Sequence, residues 1–373
     1  MTSQRNPARN PMLDQLFLST LLSAQLGALP PSESLLVSNL AAGTIDFVDV
    51  ELGERRLTIR LEGGPGQIAV APDGLAAVVT IPGDEAVGDS IGIIDLVHQS
   101  LTRTIELKGP GPEVASGEMT FWRPRSATFV PTGEMVLVAS EATGTVVFIS
   151  LDEARVVGSA YSGGEKPQEI VISADGRFAL VSNQGSGTVG VINLARRRLE
   201  QTIEVGGDPG ALALSPDRSK LWVANRGTNS ISVIDMATSM VEVEFPCGSY
   251  PVDLTFTPDG AHVLCANLSP GSISVFDTAS QKATAEIIMP IATADLIEAR
   301  PAPDGLLVRK SGMPIALEVS EDGQFAWVVM WRLDEIVEVS IAEAKISRRI
   351  PAGVGPTQLV GLRLPSGPRV QSK

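Results

Sequence analysis

The strongest constraint on this chain is a repeat of 42 residues. Residues 177–218 (RFALVSNQGSGTVGVINLARRRLEQTIEVGGDPGALALSPDR) align with residues 219–260 (SKLWVANRGTNSISVIDMATSMVEVEFPCGSYPVDLTFTPDG), and AHVLCANLSPGSISVFD over 261–277 begins a third copy. Each copy divides into four short runs, such as LWVAN, SISVID, VEVEF and VDLTF, rich in Val, Ile and Phe and separated by Gly, Asn, Asp and Pro. That is the pattern of short strands joined by tight turns. Four strands per unit at this period is the pattern of a β-propeller blade, a unit that buries its faces only against neighbouring copies.

Two turn signals let the copies be counted. The turn before each unit reads APDG (71–74), VPTG (130–133), SADG (173–176), SPDR (215–218), TPDG (257–260) and SEDG (320–323). Asp there accepts local backbone hydrogen bonds and Gly tolerates positive φ. A second turn follows Asp49, Asp95, Ser150, Asn193, Asp235, Asp277 and Ser340, all small polar residues. The count is seven units, from about Leu35 to Leu364. The first unit lacks an inner strand and the chain ends with a surplus one, PTQLVGLRL. The expected architecture is therefore all-β: a seven-bladed propeller of four-stranded antiparallel blades, its first blade closed by the C-terminal strand, which removes free sheet edges. The propeller spans 33–365, preceded by an N-terminal extension (1–32) and followed by a disordered tail (366–373). In the extension, Leu13, Leu16, Phe17, Leu21 and Ala24 suit an amphipathic helix, with a degenerate signal sequence as the alternative reading.

The motifs VANRGTNSISVID and YPVDLTFTPDG resemble the YVTN-type repeat family of bacterial β-propellers. The resemblance covers about 35–364, is most specific between 177 and 300, and fades in the last blade, where VVMWRLDEIVEVS lacks the Ala-Asn pair. It implies the propeller fold. It implies no single activity, since such proteins include surface and binding proteins and relatives of lactonases and lyases.

Function is expected on the face opposite the PDG turns. Gly74 to Gly133 spans 59 residues and Gly260 to Gly323 spans 63, well over the period. The extra residues fall at 82–90, 109–124 and 290–313, all assigned by strand order to that upper face, and long loops in compact domains are often functional. A Pro leads into each inner strand. Two places after it stand Gln67, Ser126, Glu169, Ala211, Asp253, Ala316 and Gln358; two further on stand the mostly small Ala69, Thr128, Val171, Ala213, Thr255, Glu318 and Val360. Between them Ile68, Ala127, Ile170, Leu212, Leu254, Leu317 and Leu359 should be core. Period-2 alternation then predicts a channel with a polar mouth and a narrow throat. The candidate ligand residues at the mouth are Gln67, Phe121, Trp122, Arg123, Arg125, Glu169, Asp253, Trp331 and Gln358, an aromatic wall beside a mixed-charge rim.

No standard catalytic motif occurs. His98 and His262 fall on the PDG-turn side, away from the mouth. Glu169, Asp253 and Glu318 are a candidate Ca²⁺ set, aided by Gln67 or Gln358; otherwise these carboxylates pair with Arg125 or solvent. Cys247 is read as exposed and Cys265 as inert core, without a His to activate either. A net charge of −14 argues against nucleic acid, and no segment has the length of a membrane span. The leading reading is a monomeric binding or scaffold propeller, cytoplasmic rather than exported. It holds a protein, peptide or small polar ligand at the mouth and needs no cofactor. The alternative is a metal-assisted lactonase-like hydrolase, or a lyase or cyclase.

Overall fold

In a computed structural model, which describes residues 34–82, 88–112, 117–290 and 312–362, the strand runs of the repeat become seven four-stranded antiparallel sheets. The residues assigned to the N-terminal extension and the C-terminal tail lie outside the described residues. Blade 1 takes its inner strand from the chain end: Pro356–Leu362 pairs with Ser34–Asn39, followed outward by Thr44–Asp49 and Glu54–Arg60. The register sets Val37 against Leu359 and Ser34 against Leu362, which closes the ring. Blades 2 to 7 follow as strands within 68–106, 124–161, 167–204, 209–246, 249–288 and 314–351.

The turns behave as their residues demand. Asp73, Asp175, Asp217, Asp259 and Asp322 each accept the backbone N–H two residues on. Asp49, Asp95, Ser150, Asn193, Asp235, Asp277 and Ser340 do the same at the second turn with the N–H three residues on.

The Asn of the repeat has a structural purpose. At the end of the second strand, buried Asn225 donates to Ser230 and Ser232 on the third strand; Asn267 donates to Ser272 and Ser274, and Asn39 to Thr44 and Asp46. Each such Asn packs on a glycine three residues before the inner-strand Pro. A Cβ on Gly206 would lie 2.6 Å from the Asn225 amide, and one on Gly248 2.2 Å from that of Asn267. Blade 7 has Met330 at the Asn position, and its buried polar groups include Glu338, cross-strand from Trp327. Its carboxylate takes hydrogen bonds from Trp327 Nε1, Ser347 Oγ and Arg348, and these hold it below the usual carboxylate range despite its burial.

The core lies between blades. Trp222 of blade 5 meets Phe245 and Phe256 edge-on at centroid distances of 5.4 and 5.7 Å, within a cluster shared with blade 6. The inner-strand residues expected as core are buried in all seven blades, Ile68, Ala127, Ile170, Leu212, Leu254, Leu317 and Leu359. Residues 108–110 and 118–120, which include the start and middle of the 109–124 insertion, pair as a small ribbon. Instead of crowning the upper face, this ribbon packs on the outer strand of blade 3: Ser159 Oγ donates to the Pro110 carbonyl, and a Cβ on Gly109 would meet Val156 at 2.7 Å. It covers an edge that would otherwise expose unpaired backbone. Residues 83–87 and 291–311, most of the other two insertions, lie outside the described residues.

Candidate ligand site at the channel mouth

A cavity of about 250 Å³ opens at the upper end of the channel. Its upper ring is the residue directly after each leading Pro: Gly66, Arg125, Gln168, Gly210, Val252, Ile315 and Thr357, one from every blade. Sequence reasoning took only Arg125 from this ring. The alternation pointed to the position below, because it treats the strand as regular from the Pro onward. In blade 1 and in blades 3 to 7 the inner strand instead shifts register just after the Pro. The bulge turns both consecutive residues toward the opening.

The second ring is the predicted one, and Gln67, Ser126, Glu169, Ala211, Asp253 and Gln358 all line the cavity. Its long polar members reach sideways as well as inward. Gln67 Oε1 accepts the Ala127 N–H at 2.6 Å, Glu169 Oε2 accepts the Leu212 N–H at 2.9 Å, and Asp253 Oδ2 accepts the Leu317 N–H at 2.8 Å. In each case the donor belongs to the next blade. Asp253 Oδ1 also takes the N–H of Leu254. Thus the two carboxyls pair neither with Arg125, which is held by Glu141 at 2.6 Å, nor with solvent alone. Gln358 makes no side-chain hydrogen bond to another described residue and faces the cavity.

Arg226, which sequence reasoning missed, brings positive charge to the two carboxyls. It follows Asn225 at the end of the second strand of blade 5 and lies across Gly210, where a Cβ would stand 2.6 Å from its Nε. The signal was present: Gly210 is a glycine in the first ring, beside an Arg in the adjoining turn. Burial, followed by the nearby charge of Asp253, pushes Glu169 up to about 8, against the Leu212 N–H and Arg226. Burial raises Asp253 to about 7, against its two backbone donors and Arg226. Each side chain keeps some access to the cavity, so the two titrate within reach of a bound ligand.

Several predicted residues stand elsewhere. Phe121 is fully buried, packed into the cluster between blades 2 and 3, and forms no part of a wall. Trp122 is 40% exposed but does not line the cavity. Arg123 points outward, 4.0 Å from Glu141. Trp331 backs the mouth from blade 7, packed on Leu268 and Met313 with Tyr250, Val252 and Ile315. Glu318 lines a separate lower chamber of about 440 Å³ with Thr255 and Ala213. Period-2 geometry carries it a further pleat down the strand, so the triad Glu169, Asp253 and Glu318 does not assemble. Among the described residues no three His, Cys, Asp or Glu side chains converge to hold a metal ion. His98 lies in its turn 2.8 Å from Asp95, and His262 faces Asp277 across the strand pair, both far from the mouth in strand order. Among the described residues no helix is long and apolar enough to cross a membrane.

The mouth is therefore two-sided. Blades 6 and 7 contribute Val252 and Ile315, the apolar packing behind them and the carboxyl of Asp253, while Leu40 and Pro82 add apolar lining beside blades 1 and 2. Blades 1 to 5 contribute Thr357, Gln358, Gln67, Arg125, Gln168 and Glu169, with Arg226.

Comparison with known proteins bears on the fold. Residues 147–294 match the family of YNCE-like β-propellers. No curated protein sequence matches the chain. Among solved structures it is similar to hydrazine synthase of Kuenenia stuttgartiensis, with a TM-score of 0.64, 17% identity, and coverage of 80% of this chain and 90% of that one. A protein of unknown function from Desulfotomaculum acetoxidans aligns with a TM-score of 0.68 and 15% identity, over 88% of this chain and 99% of that one. A candidate 6-phosphogluconolactonase from Bacteroides fragilis aligns with a TM-score of 0.65 and 16% identity, over 90% and 99%. At such identities these likenesses speak to fold alone. The repeat, the ring of seven sheets closed by the C-terminal strand, and the match over 147–294 together show a seven-bladed β-propeller that fits the YVTN-type, YNCE-like pattern.

Proposed function

We propose that this propeller binds a small, oxygen-rich, acidic ligand at the channel mouth. The observation that carries the reading is the arc of hydrogen-bond donors along blades 1 to 5 of the cavity, facing Val252 and Ile315 with the single carboxyl of Asp253 between blades 6 and 7. At neutral pH Glu169 is largely protonated and acts as a donor, beside the guanidiniums of Arg226 and Arg125 and the amides of Gln67, Gln168 and Gln358. Such a donor-rich arc suits a carboxylate, phosphate or sugar-acid head, while Val252 and Ile315 suit its carbon body. The cavity volume favours a small molecule over a folded partner.

A second reading is favoured by one observation. Two carboxyls lining one open pocket, titrating near 7 and 8 and within electrostatic reach of each other, can serve as acid and base, the arrangement that general acid–base hydrolysis requires. The name of the Bacteroides fragilis neighbour makes aldonolactones the first substrates to try.

One experiment separates the two. Thermal shift is measured with a panel of sugar acids, sugar phosphates and their lactones, on the wild type, Arg226→Ala and Glu169→Gln. The binding reading expects a rise in melting temperature with an acid, about 2.7 kcal/mol of stabilisation at a hundredfold excess over Kd. That rise should be lost in Arg226→Ala and retained in Glu169→Gln, with no turnover of the lactones. Lactone hydrolysis by the wild type that disappears in Glu169→Gln supports the enzyme instead. A shift equal in all three proteins would place the ligand elsewhere.

A further inference from the structure

We infer that Cys247 and Cys265 form an oxidisable thiol pair, a disulfide site that joins the blade 5–blade 6 connection to the second strand of blade 6. Cys247 follows the outer strand of blade 5, and its N–H bonds the Asn229 carbonyl at 3.0 Å. The next residue, Gly248, presses on the Asn267 side chain so closely that a Cβ there would lie 2.2 Å from the Asn267 Cγ. Cys265 Sγ lies 3.6 Å from Oδ1 of the same Asn267. One amide thus touches both the connection and the buried thiol. The two cysteines share an apolar cluster with Trp222, Phe245 and Phe256, with Cys247 Sγ directed at the Gly248 carbonyl and Cys265 Sγ at Asn267 Oδ1, and they lie near enough for Cys247 to raise the Cys265 thiol.

The pair is asymmetric in a way that suits exchange. Cys247 is half-buried and reachable from the upper face, whereas Cys265 is fully buried. The nearby Cys247 side chain, then burial, pushes the Cys265 thiol well up, so the buried partner stays protonated until oxidation begins. Attack on a small-molecule disulfide falls to Cys247: its thiolate bonds one sulfur of the oxidant and expels the other as a thiolate. Cys265 then gives its proton to that released thiolate and attacks the Cys247 sulfur. The protein disulfide forms as the second oxidant thiolate leaves and takes up the proton lost by Cys247. Two protein thiols and one disulfide become one protein disulfide and two small thiols. The product is neutral, which the apolar cluster accommodates. A two-thiolate complex of a monovalent soft metal would instead leave a buried negative charge close to Asp253. Ala266, next to Cys265, is the cross-strand partner of Asp253, so oxidation anchors the strand that backs this part of the mouth.

The test is to incubate the folded full-length chain with oxidised glutathione, block free thiols, and map cysteine-containing peptides by mass spectrometry. The wild type should lose both thiols and carry a Cys247–Cys265 link with no lasting glutathione adduct. Closing that loop should raise the melting temperature by roughly 5 °C, reversibly with dithiothreitol. Cys265→Ala should stop at a glutathione adduct on Cys247, and Cys247→Ala should leave Cys265 unmodified. The wild-type map decides the matter even where a variant folds poorly. A persistent adduct on Cys247 with Cys265 still reduced overturns the inference, as does a link between two chains or one that forms only in denaturant.

Discussion

At the same inner-strand position, blades 2, 4 and 6 carry Gln67, Glu169 and Asp253, while blades 3, 5 and 7 carry Ser126, Ala211 and Ala316. The first three remain partly open to the cavity and the second three are buried. The difference is one of mutual fit. Each long polar side chain reaches over the next blade's small residue to the backbone N–H beyond it, at Ala127, Leu212 and Leu317. A buried donor without a partner is costly, and a neighbour's side chain satisfies it while tying two sheets together. What reads as a polar, ligand-ready rim is therefore in part a set of stitches between blades. An alternation of two cannot close around seven blades. Gln358 of blade 1 and Gln67 of blade 2 fall side by side, and Gln358, with no backbone donor to serve, is the member of the ring most open to a ligand.

The comparison breaks most sharply at Asp253. Asp253→Ala orphans the N–H groups of Leu254 and Leu317 and should cost about 3 kcal/mol in urea unfolding. Ala316→Gly, at the same position in the next blade, should cost no more than about 1 kcal/mol. Equal losses would show that the alternation carries no energy.

Ala211→Gln places a long side chain where the fit calls for a small one, beside Glu169 and over the Leu212 N–H. Overpacking should cost about 2 kcal/mol by the same measurement. The matching insertion at Gln358 or Gln67 already exists without a clash, so a neutral Ala211→Gln would mean that crowding does not set the pattern.

Titration sharpens the contrast between charged and uncharged stitches. Glu169 and Asp253 bind protons more tightly folded than unfolded, since both are raised, to about 8 and about 7. Folding therefore takes up protons above the ordinary carboxylate range, and stability falls as pH rises from about 4.5 through 8. Glu169→Gln keeps an acceptor for Leu212 and removes its titration, so its unfolding free energy should decline less steeply across that window. A wild-type profile that is flat there contradicts the assignment.

The smallest effect on stability, and the most telling for function, is expected at Gln358. Gln358→Ala should stay within about 0.5 kcal/mol of the wild type in unfolding, while weakening the acidic ligand that produces a thermal shift. Gln67→Ala should lose stability and affinity together.

The local half of this protein was legible from its residues. The number of blades, the closure by PTQLVGLRL, both turn types and the buried face of each inner strand follow from patterns that repeat within a few residues, because hydrogen bonds between strand neighbours and period-2 burial are local matters. The ring of candidates two places after each Pro was readable for the same reason. What the residues could not reveal depends on distance across blades. The bulge after the Pro doubled the mouth into two rings and brought in Gln168, Val252, Ile315 and Thr357; the ribbon of 108–110 and 118–120, docked on blade 3, carried Phe121 into the core between blades 2 and 3; one pleat of depth sent Glu318 to the lower chamber. Arg226 of blade 5 near Glu169 of blade 4 and Asp253 of blade 6, the Glu169 bond to Leu212 and the shared cluster of Cys247 and Cys265 join residues of different blades or connections. Their meeting is set by how side-chain length matches the spacing of packed sheets, a quantity that exists only once the ring has closed.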